Sequence, residues 1–308
     1  MAKKVLVATQ KPFAPKAVEN IKSIASGAGY EVVLLEKYVD EADLLQEVAD
    51  VDALIVRSDK VTPAVIAAAQ NLKVIVRGGA GYDNIDLDAA SAKDIVVMNT
   101  PGQNSNAVAE LALGMMVYIA RNLFNGKPGT ELKGKTLGIH AYGNVGKRVA
   151  YIAKGFDMDV YAYDPFVSKE AMEADGVKAV DSVDALYSSC QYVSLHIPAN
   201  EKTKQSISYK LLSKMPKGAT LVNTARKEVI DEDGLLKTFS EREDFRYVSD
   251  IAPDNAEKIK DTYEGRYFFT PKKMGAQTAE ANINAGIAAI NQIIAYFEKG
   301  DTTFQVNK

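Results

Sequence analysis

In this 308-residue chain, Ala141-Tyr-Gly-Asn-Val-Gly146 is the stretch whose residue types and spacing could do the most chemistry. An apolar run, Thr136 to His140, precedes it, and a second run, Asp159 to Tyr163, follows. Between them Val149, Ile152 and Ala153 recur at helical spacing. Strand, glycine turn, helix, strand and a terminal acid, in that order, make a dinucleotide-binding βαβ unit. Gly143 lets the backbone approach a pyrophosphate, where a β-carbon would stand in the way. Gly146 lets the helix pack closely on the strand. Free N–H groups at the helix start, around Asn144 and Val145, act with the helix dipole to attract phosphates. Asp164 comes eighteen positions after Gly146 and can accept hydrogen bonds from the adenosine ribose hydroxyls. Its charge would repel a 2′-phosphate, so NAD is expected rather than NADP. Ala141 replaces the first glycine of G-x-G-x-x-G, which is tolerable if the turn keeps φ negative.

Three arginines fall just past strand ends, where open α/β sheets bind their ligands. Arg57 follows Ala-Leu-Ile-Val, Arg77 follows Lys-Val-Ile-Val, and Arg226 follows Leu-Val-Asn-Thr-Ala. Guanidinium forks match carboxylate and phosphate oxygens. Gly78, Gly79, Ala80 and Gly81 offer backbone N–H groups to an anion as well. A surface ion pair would account for one such arginine. Three at the same topological position point to a small anionic substrate bound between two domains. His140 precedes the phosphate turn, where a buried, hydrogen-bonded ring is the simpler reading. His196 ends another strand near Pro198, and a cofactor contact and a structural role are equally open there. No Cys/His cluster suggests a metal site, and no G-x-S-x-G elbow suggests a hydrolase.

The elements that must position these groups alternate between strand and helix. In the first hundred residues strands are expected at Val5–Ala8, Glu31–Leu35, Ala53–Val56, Val74–Val76 and Ile95–Met98. Helices are expected near Pro15–Ser26, Glu41–Val48, Pro63–Ala69 and Leu87–Ser91. After a turn cluster at Asn99–Gln103 comes a long helix, Asn104–Leu123. Beyond Asp164, strands are expected at Tyr192–Ile197, Thr220–Asn223, Arg246–Ser249 and Tyr267–Thr270. A helix fits Asp231–Thr238, and a long terminal helix fits Gln277–Glu298. The pattern is α/β with parallel, doubly wound sheets. Apolar residues make up 47%, enough for two sizeable cores. The net charge of −3 argues against non-specific nucleic-acid binding. Cys190 is the single cysteine, so no intramolecular disulfide can form. Neither a signal peptide nor a bilayer-spanning run is visible, and a cytoplasmic protein with no membrane partner is expected.

Several motifs together resemble the D-isomer-specific 2-hydroxyacid dehydrogenases over nearly the whole chain. They are Leu-Ile-Val-Arg57-Ser, Arg77-Gly-Gly-Ala-Gly81-Tyr-Asp-Asn-Ile-Asp86, Asn99-Thr-Pro-Gly-Gln-Asn104, Ala109-Glu-Leu, Glu131-Leu-Lys-Gly-Lys-Thr-Leu-Gly138, Leu195-His-Ile-Pro198, Leu221-Val-Asn-Thr-Ala-Arg226 and Gly275-Ala-Gln-Thr278. The resemblance implies a Rossmann nucleotide domain, residues 99–284, inserted into a flavodoxin-like substrate domain made of residues 1–98 and 285–308. It implies a homodimer, with the helix after Asn104 in the interface. Arg226 matches the arginine that grips the substrate carboxylate, and Asp250 the acid near the nicotinamide carboxamide. Pro198, Thr203, Thr224 and Gly275 join His196 as expected cofactor contacts. Arg57 and Arg77 match positions that hold the phosphate of 3-phosphoglycerate, and Gly79, Ala80, Gly81 and Asn104 complete the substrate side. The expected reaction is NAD-dependent oxidation of 3-phosphoglycerate to 3-phosphohydroxypyruvate for serine synthesis. The serine-sensing regulatory domain of longer homologues is expected to be absent.

The departures from the family pattern bear on the acid/base. Aligned on Gly275-Ala276, Lys273 stands where the family has a histidine, and no glutamate aligns cleanly with the one that orients it. An amine can give a proton to a keto oxygen. To take one from a hydroxyl it must first lose its own, and burial beside Arg226 would bring its pKa from about 10.4 towards roughly 7–8. Lys273 is therefore the expected acid/base, with Asp254 a candidate to orient it. Two alternatives accompany this reading. One is a reductase of another short 2-keto acid, glyoxylate or hydroxypyruvate. The other is a non-catalytic NAD sensor on the same scaffold.

Overall fold

Ala53–Val56, Val74–Val76 and Leu221–Val222 are wholly buried. Apolar runs this continuous suit parallel strands covered on both faces. The computed structural model describes residues 2–308. Its elements, in chain order, begin β1 (Lys4–Thr9), α1 (Pro15–Gly27), β2 (Glu31–Glu36), α2 (Glu41–Glu47), β3 (Ala53–Val56), α3 (Pro63–Ala68), β4 (Val74–Arg77), α4 (Leu87–Ala92) and β5 (Val96–Asn99). They continue with α5 (Ser105–Ala120), β6 (Thr136–His140), α6 (Asn144–Lys154), β7 (Asp159–Tyr163), α7 (Lys169–Ala174), β8 (Lys178–Ala179), α8 (Val183–Ser189), β9 (Tyr192–Leu195) and α9 (Tyr209–Leu212). The last are β10 (Thr220–Asn223), α10 (Glu232–Glu241), β11 (Arg246–Ser249), α11 (Ala256–Thr262), β12 (Tyr267–Phe269) and α12 (Ala279–Lys299).

The first unit, Met1–Asn104 with Gln277–Lys308, holds a five-stranded parallel sheet ordered β2-β1-β3-β4-β5. That is the flavodoxin-like order. The second unit, Ser105–Ala276, holds a seven-stranded parallel sheet ordered β12-β11-β10-β9-β6-β7-β8. Its order reverses between β6 and β9, the switch point of a Rossmann sheet. His196 N–H bonds His140 O at that point, at 3.0 Å.

The unit boundaries fall at Asn104 and Gln277, against the expected 98 and 285. The turn after β5 stays with its sheet, because Thr100 N–H bonds Gly79 O at 2.9 Å. All of α12 belongs to the first unit: Ala289, Ile290 and Ile293 are buried with Ile21 and Val74. Gly286 sits where a β-carbon would come within 3.0 Å of the Ile21 side chain. The long helix ends at Ala120, three residues short of expectation, because Asn122, Leu123 and Phe124 turn left-handed at φ 50°, 57° and 54°. Arg246 Nη1 donates to Ile119 O at 2.8 Å and satisfies a terminal carbonyl there.

Candidate cofactor and substrate site

The glycine turn joins β6 to α6. Gly143 is the helix N-cap, and no side chain caps it. In contrast, Thr62, Asp86, Ser168, Ser182, Asp231 and Thr278 each cap their helices with a side-chain oxygen. A β-carbon built on Gly143 would meet nothing within 4 Å, so the space at Gly143 itself is open. A β-carbon on Gly146 would fall 2.4 Å from Ala141 O and 3.0 Å from Ile139, so helix and strand are in direct contact there. Asp164 closes the turn: one carboxylate oxygen accepts from Tyr142 N and the other from Phe166 N, each at 2.8 Å. A pyrophosphate fits the open space at Gly143, and a ribose diol fits the half-buried Asp164 beside it.

Ala141 departs from expectation, with φ at 82°. Its N–H continues the ladder to Tyr163 O at 2.9 Å, while its carbonyl lies against Gly146. Those two contacts hold an alanine in the left-handed region, at a cost of about 1–2 kcal/mol. Ala141→Gly relieves that strain and adds about 0.4–1 kcal/mol of unfolded-chain freedom. The expected net is a gain of about 0.5–1 kcal/mol, read from a urea midpoint. A lower midpoint would contradict it.

Both histidines at the switch point are neutral. Burial pushes His140 down to about 4 and His196 down to about 3. His140 Nδ1 lies 3.3 Å from Tyr187 Oη, in a buried pocket. The His196 ring is held on both sides, with Nε2 at 3.0 Å from Ser194 Oγ and Nδ1 at 3.3 Å from Thr224 Oγ1. Thr224 and His196, both expected at the cofactor, thus engage each other. Thr203 Oγ1 donates to Pro198 O at 2.5 Å and accepts from Asn200 N at 2.9 Å, which ties the loop after β9. A histidine with a lowered folded pKa binds fewer protons than the unfolded chain between its two pKa values. Stability is therefore full above about pH 6.5 and is lost as pH falls through that value towards the folded pKa. For His140, lowered from 6.5 to about 4, we expect a loss of about 2 kcal/mol between pH 7 and pH 5. Urea unfolding at the two pH values measures it, and a His140→Gln variant should lose less.

Past the ends of β10 and β12 the structure brings two cations to one carbonyl. Asn223 is 1% exposed and staples the turn after β10: its Oδ1 accepts from Ala225 N at 2.9 Å, and its Nδ2 donates to Arg226 O at 3.0 Å. Ala225 O then accepts from Arg226 Nη1 and from Lys273 Nζ, each at 3.0 Å. The two charged nitrogens are at most about 6 Å apart, and like charges at that distance repel even near a surface. An anion placed between them would relieve the repulsion. Lys273 is exposed, not buried beside Arg226 as expected. Asp254, expected to orient Lys273, forms an ion pair with Lys227, and its N–H bonds Glu232 at 2.8 Å. Its side chain is 77% exposed, which makes it a loose support for any neighbour. Asp250 is 2% exposed and accepts from Met274 N at 2.7 Å, Gly275 N at 2.8 Å and Thr270 Oγ1 at 3.1 Å.

In the first unit, Arg57 and Arg77 follow β3 and β4 as expected, and both are half-buried. Arg57 Nη1 donates to Lys11 O and Pro12 O, each at 3.1 Å, and the guanidinium lies over the Phe13 ring. Arg77 Nε donates to Arg57 O at 2.9 Å. Gly79 makes room for Arg77: its φ is 153°, and a β-carbon there would fall 1.5 Å from Nη1. The expected four-residue anion nest is narrower than its sequence. Gly78 N–H bonds Val56 O and Gly79 N–H bonds Arg77 O, each at 2.8 Å. Among the described residues, only Ala80 and Gly81 of that nest keep N–H groups without an acceptor in the protein. Asn99 Nδ2 donates to Ala80 O at 2.6 Å and sets that loop, while Asn104 is half-buried at the end of its turn. Asp59, 3% exposed, accepts from Gln10 N, Tyr38 Oη and Arg57 N and fixes the start of the Arg57 loop. Asn223 and Asp59 escape a sequence reading because a short polar side chain after a strand looks like ordinary turn chemistry.

Among the described residues no group of three or more His, Cys, Asp or Glu could hold a metal ion. No helix there is long and apolar enough to cross a membrane. Residues 114–264 match the family described as D-isomer specific 2-hydroxyacid dehydrogenase, NAD binding domain. The chain is 37% identical to a D-3-phosphoglycerate dehydrogenase of Methanocaldococcus jannaschii, over 82% of this chain and 51% of that one. It is 35% identical to a hydroxypyruvate reductase of Thermotoga maritima, over 85% of this chain and 90% of that one. It thus spans about half the length of the curated phosphoglycerate dehydrogenases it matches. A crystal structure of NAD+-bound 3-phosphoglycerate dehydrogenase from Entamoeba histolytica is similar at a TM-score of 0.86 and 48% identity, covering 100% of this chain and 99% of that one. This chain belongs to the D-isomer specific 2-hydroxyacid dehydrogenases, and its second unit contains that family's NAD-binding domain.

Proposed function

We propose that the protein catalyses NAD-dependent oxidation of 3-phosphoglycerate to 3-phosphohydroxypyruvate and works as a homodimer. The observation that carries this reading is the Ala225 carbonyl, which gathers a guanidinium and an amine at the sheet's carboxyl end. The Gly143–Gly146 turn and Asp164 hold NAD, which when bound accepts the hydride leaving C2. Arg226 holds the substrate carboxylate in its fork. Lys273, as the neutral amine, takes the hydroxyl proton, becomes an ammonium and returns the proton to water. In the reverse direction the ammonium protonates the keto oxygen. Arg57 and Arg77 take the phosphate, with the Ala80 and Gly81 N–H groups beside them. Likeness to the Entamoeba histolytica enzyme over the whole of this chain supports a phosphorylated substrate.

Likeness to a hydroxypyruvate reductase over 90% of its length supports a second reading, reduction of an unphosphorylated keto acid. NADH oxidation with phosphohydroxypyruvate, hydroxypyruvate and glyoxylate separates the two. We expect kcat/KM for phosphohydroxypyruvate to exceed the others by about 10²-fold, since the smaller acids bring no phosphate to the two guanidinium groups. Equal or better use of hydroxypyruvate would favour the reductase.

A further inference from the structure

We infer that Asp250 is a positioning residue for Lys273, holding the 270–275 loop so that the amine stands over the Ala225 carbonyl. The inference rests on the reading of Lys273 as the proton-handling group. Lys273 is exposed and sits on a flexible four-carbon stem. The next two residues of the chain are fixed. Met274 N–H points at one oxygen of Asp250 and Gly275 N–H at the other, at 2.7 Å and 2.8 Å. Those two bonds set the backbone immediately after the lysine. Thr270 closes the loop from the other side, its hydroxyl 3.1 Å from the same carboxylate and 2.8 Å from Lys272 O.

The anchor itself has no slack. A β-carbon on Gly275 would lie 2.9 Å from Asp250 Oδ2 and 3.2 Å from Val108 Cγ2. Asp250 is also tied to the other cation. Its N–H donates to Asn223 O at 2.9 Å, at the start of the turn that Asn223 staples around Ala225 and Arg226. One residue therefore joins the Arg226 turn through its backbone to the Lys273 loop through its side chain. A carboxylate suits this task because both oxygens accept. An asparagine has nearly the same volume but one accepting oxygen, and its NH₂ would face a backbone N–H.

The test is a double-mutant cycle read in 3-phosphoglycerate oxidation. Asp250→Asn should lower kcat by about 10²-fold through misplacement of the amine. If Asp250 acts through Lys273, that loss disappears in a Lys273→Ala background, and the double variant is no slower than Lys273→Ala alone. If the two losses multiply instead, Asp250 acts elsewhere and the inference is overturned while the reading of Lys273 stands. If Lys273→Ala turns over at the wild-type rate, that reading fails and takes the inference with it. Thr270 supplies a second pair of variants should Asp250→Asn not fold. Thr270→Ser should retain kcat, Thr270→Val should lose several-fold, and Lys273→Ala should abolish that difference. A Thr270→Val loss that persists without Lys273 would count against the inference.

Discussion

Lys273→Ala should lower kcat for 3-phosphoglycerate oxidation by about 10²–10⁴-fold, the usual weight of one acid/base group. NADH affinity should be nearly unchanged, because the phosphate turn and Asp164 form a separate set of contacts in the same unit. The split matters more than the size of the loss. A lysine that merely supported the fold would affect cofactor binding and thermal stability together. One that handles the proton would leave both and remove the chemistry. The lysine is exposed, so truncating it creates no cavity and leaves no buried charge unpaired. Near-full turnover in Lys273→Ala would remove it from the mechanism.

Arg226→Ala should lower kcat/KM by about 10²–10³-fold, the equivalent of about 3–4 kcal/mol for a two-point charge-assisted contact. The paired observation is Arg226→Lys, which restores a charge without the fork and should recover little of the loss. Steady-state kinetics on the three proteins decides it. Recovery to near wild-type in Arg226→Lys would show that only a positive charge is needed there. Asn223 bears on the same point, because its side chain sets the Ala225–Arg226 backbone from a fully packed position.

The fold is legible in the sequence where local pattern and tertiary demand agree. Ala53–Val56, Thr220–Asn223 and Arg246–Ser249 are strands with the expected bounds, each a short run closed by a polar or turn residue. The Gly143–Gly146 turn is legible for a similar reason, since a β-carbon at Gly146 would strike backbone. Short elements leave no periodic signal: α7, β8, α8, α9 and α11 run from two to seven residues and lie outside the expected set. Side-chain placement is the least legible. Asp254 is nearer to Lys273 in sequence but bonds Lys227, whereas Asp250, farther off in sequence, holds the loop. The conformation of Ala141 runs against expectation because a ladder bond on one side and a glycine contact on the other fix φ against the residue's own preference.

The most direct test of the central claim is NADH formation when 3-phosphoglycerate and NAD are mixed with the purified protein, with D-glycerate as the unphosphorylated control. NADH absorbance should grow with 3-phosphoglycerate, grow far more slowly with glycerate, and be lost in Lys273→Ala. Tight NADH binding with no turnover on either acid would contradict it and leave a nucleotide-binding protein on a dehydrogenase scaffold.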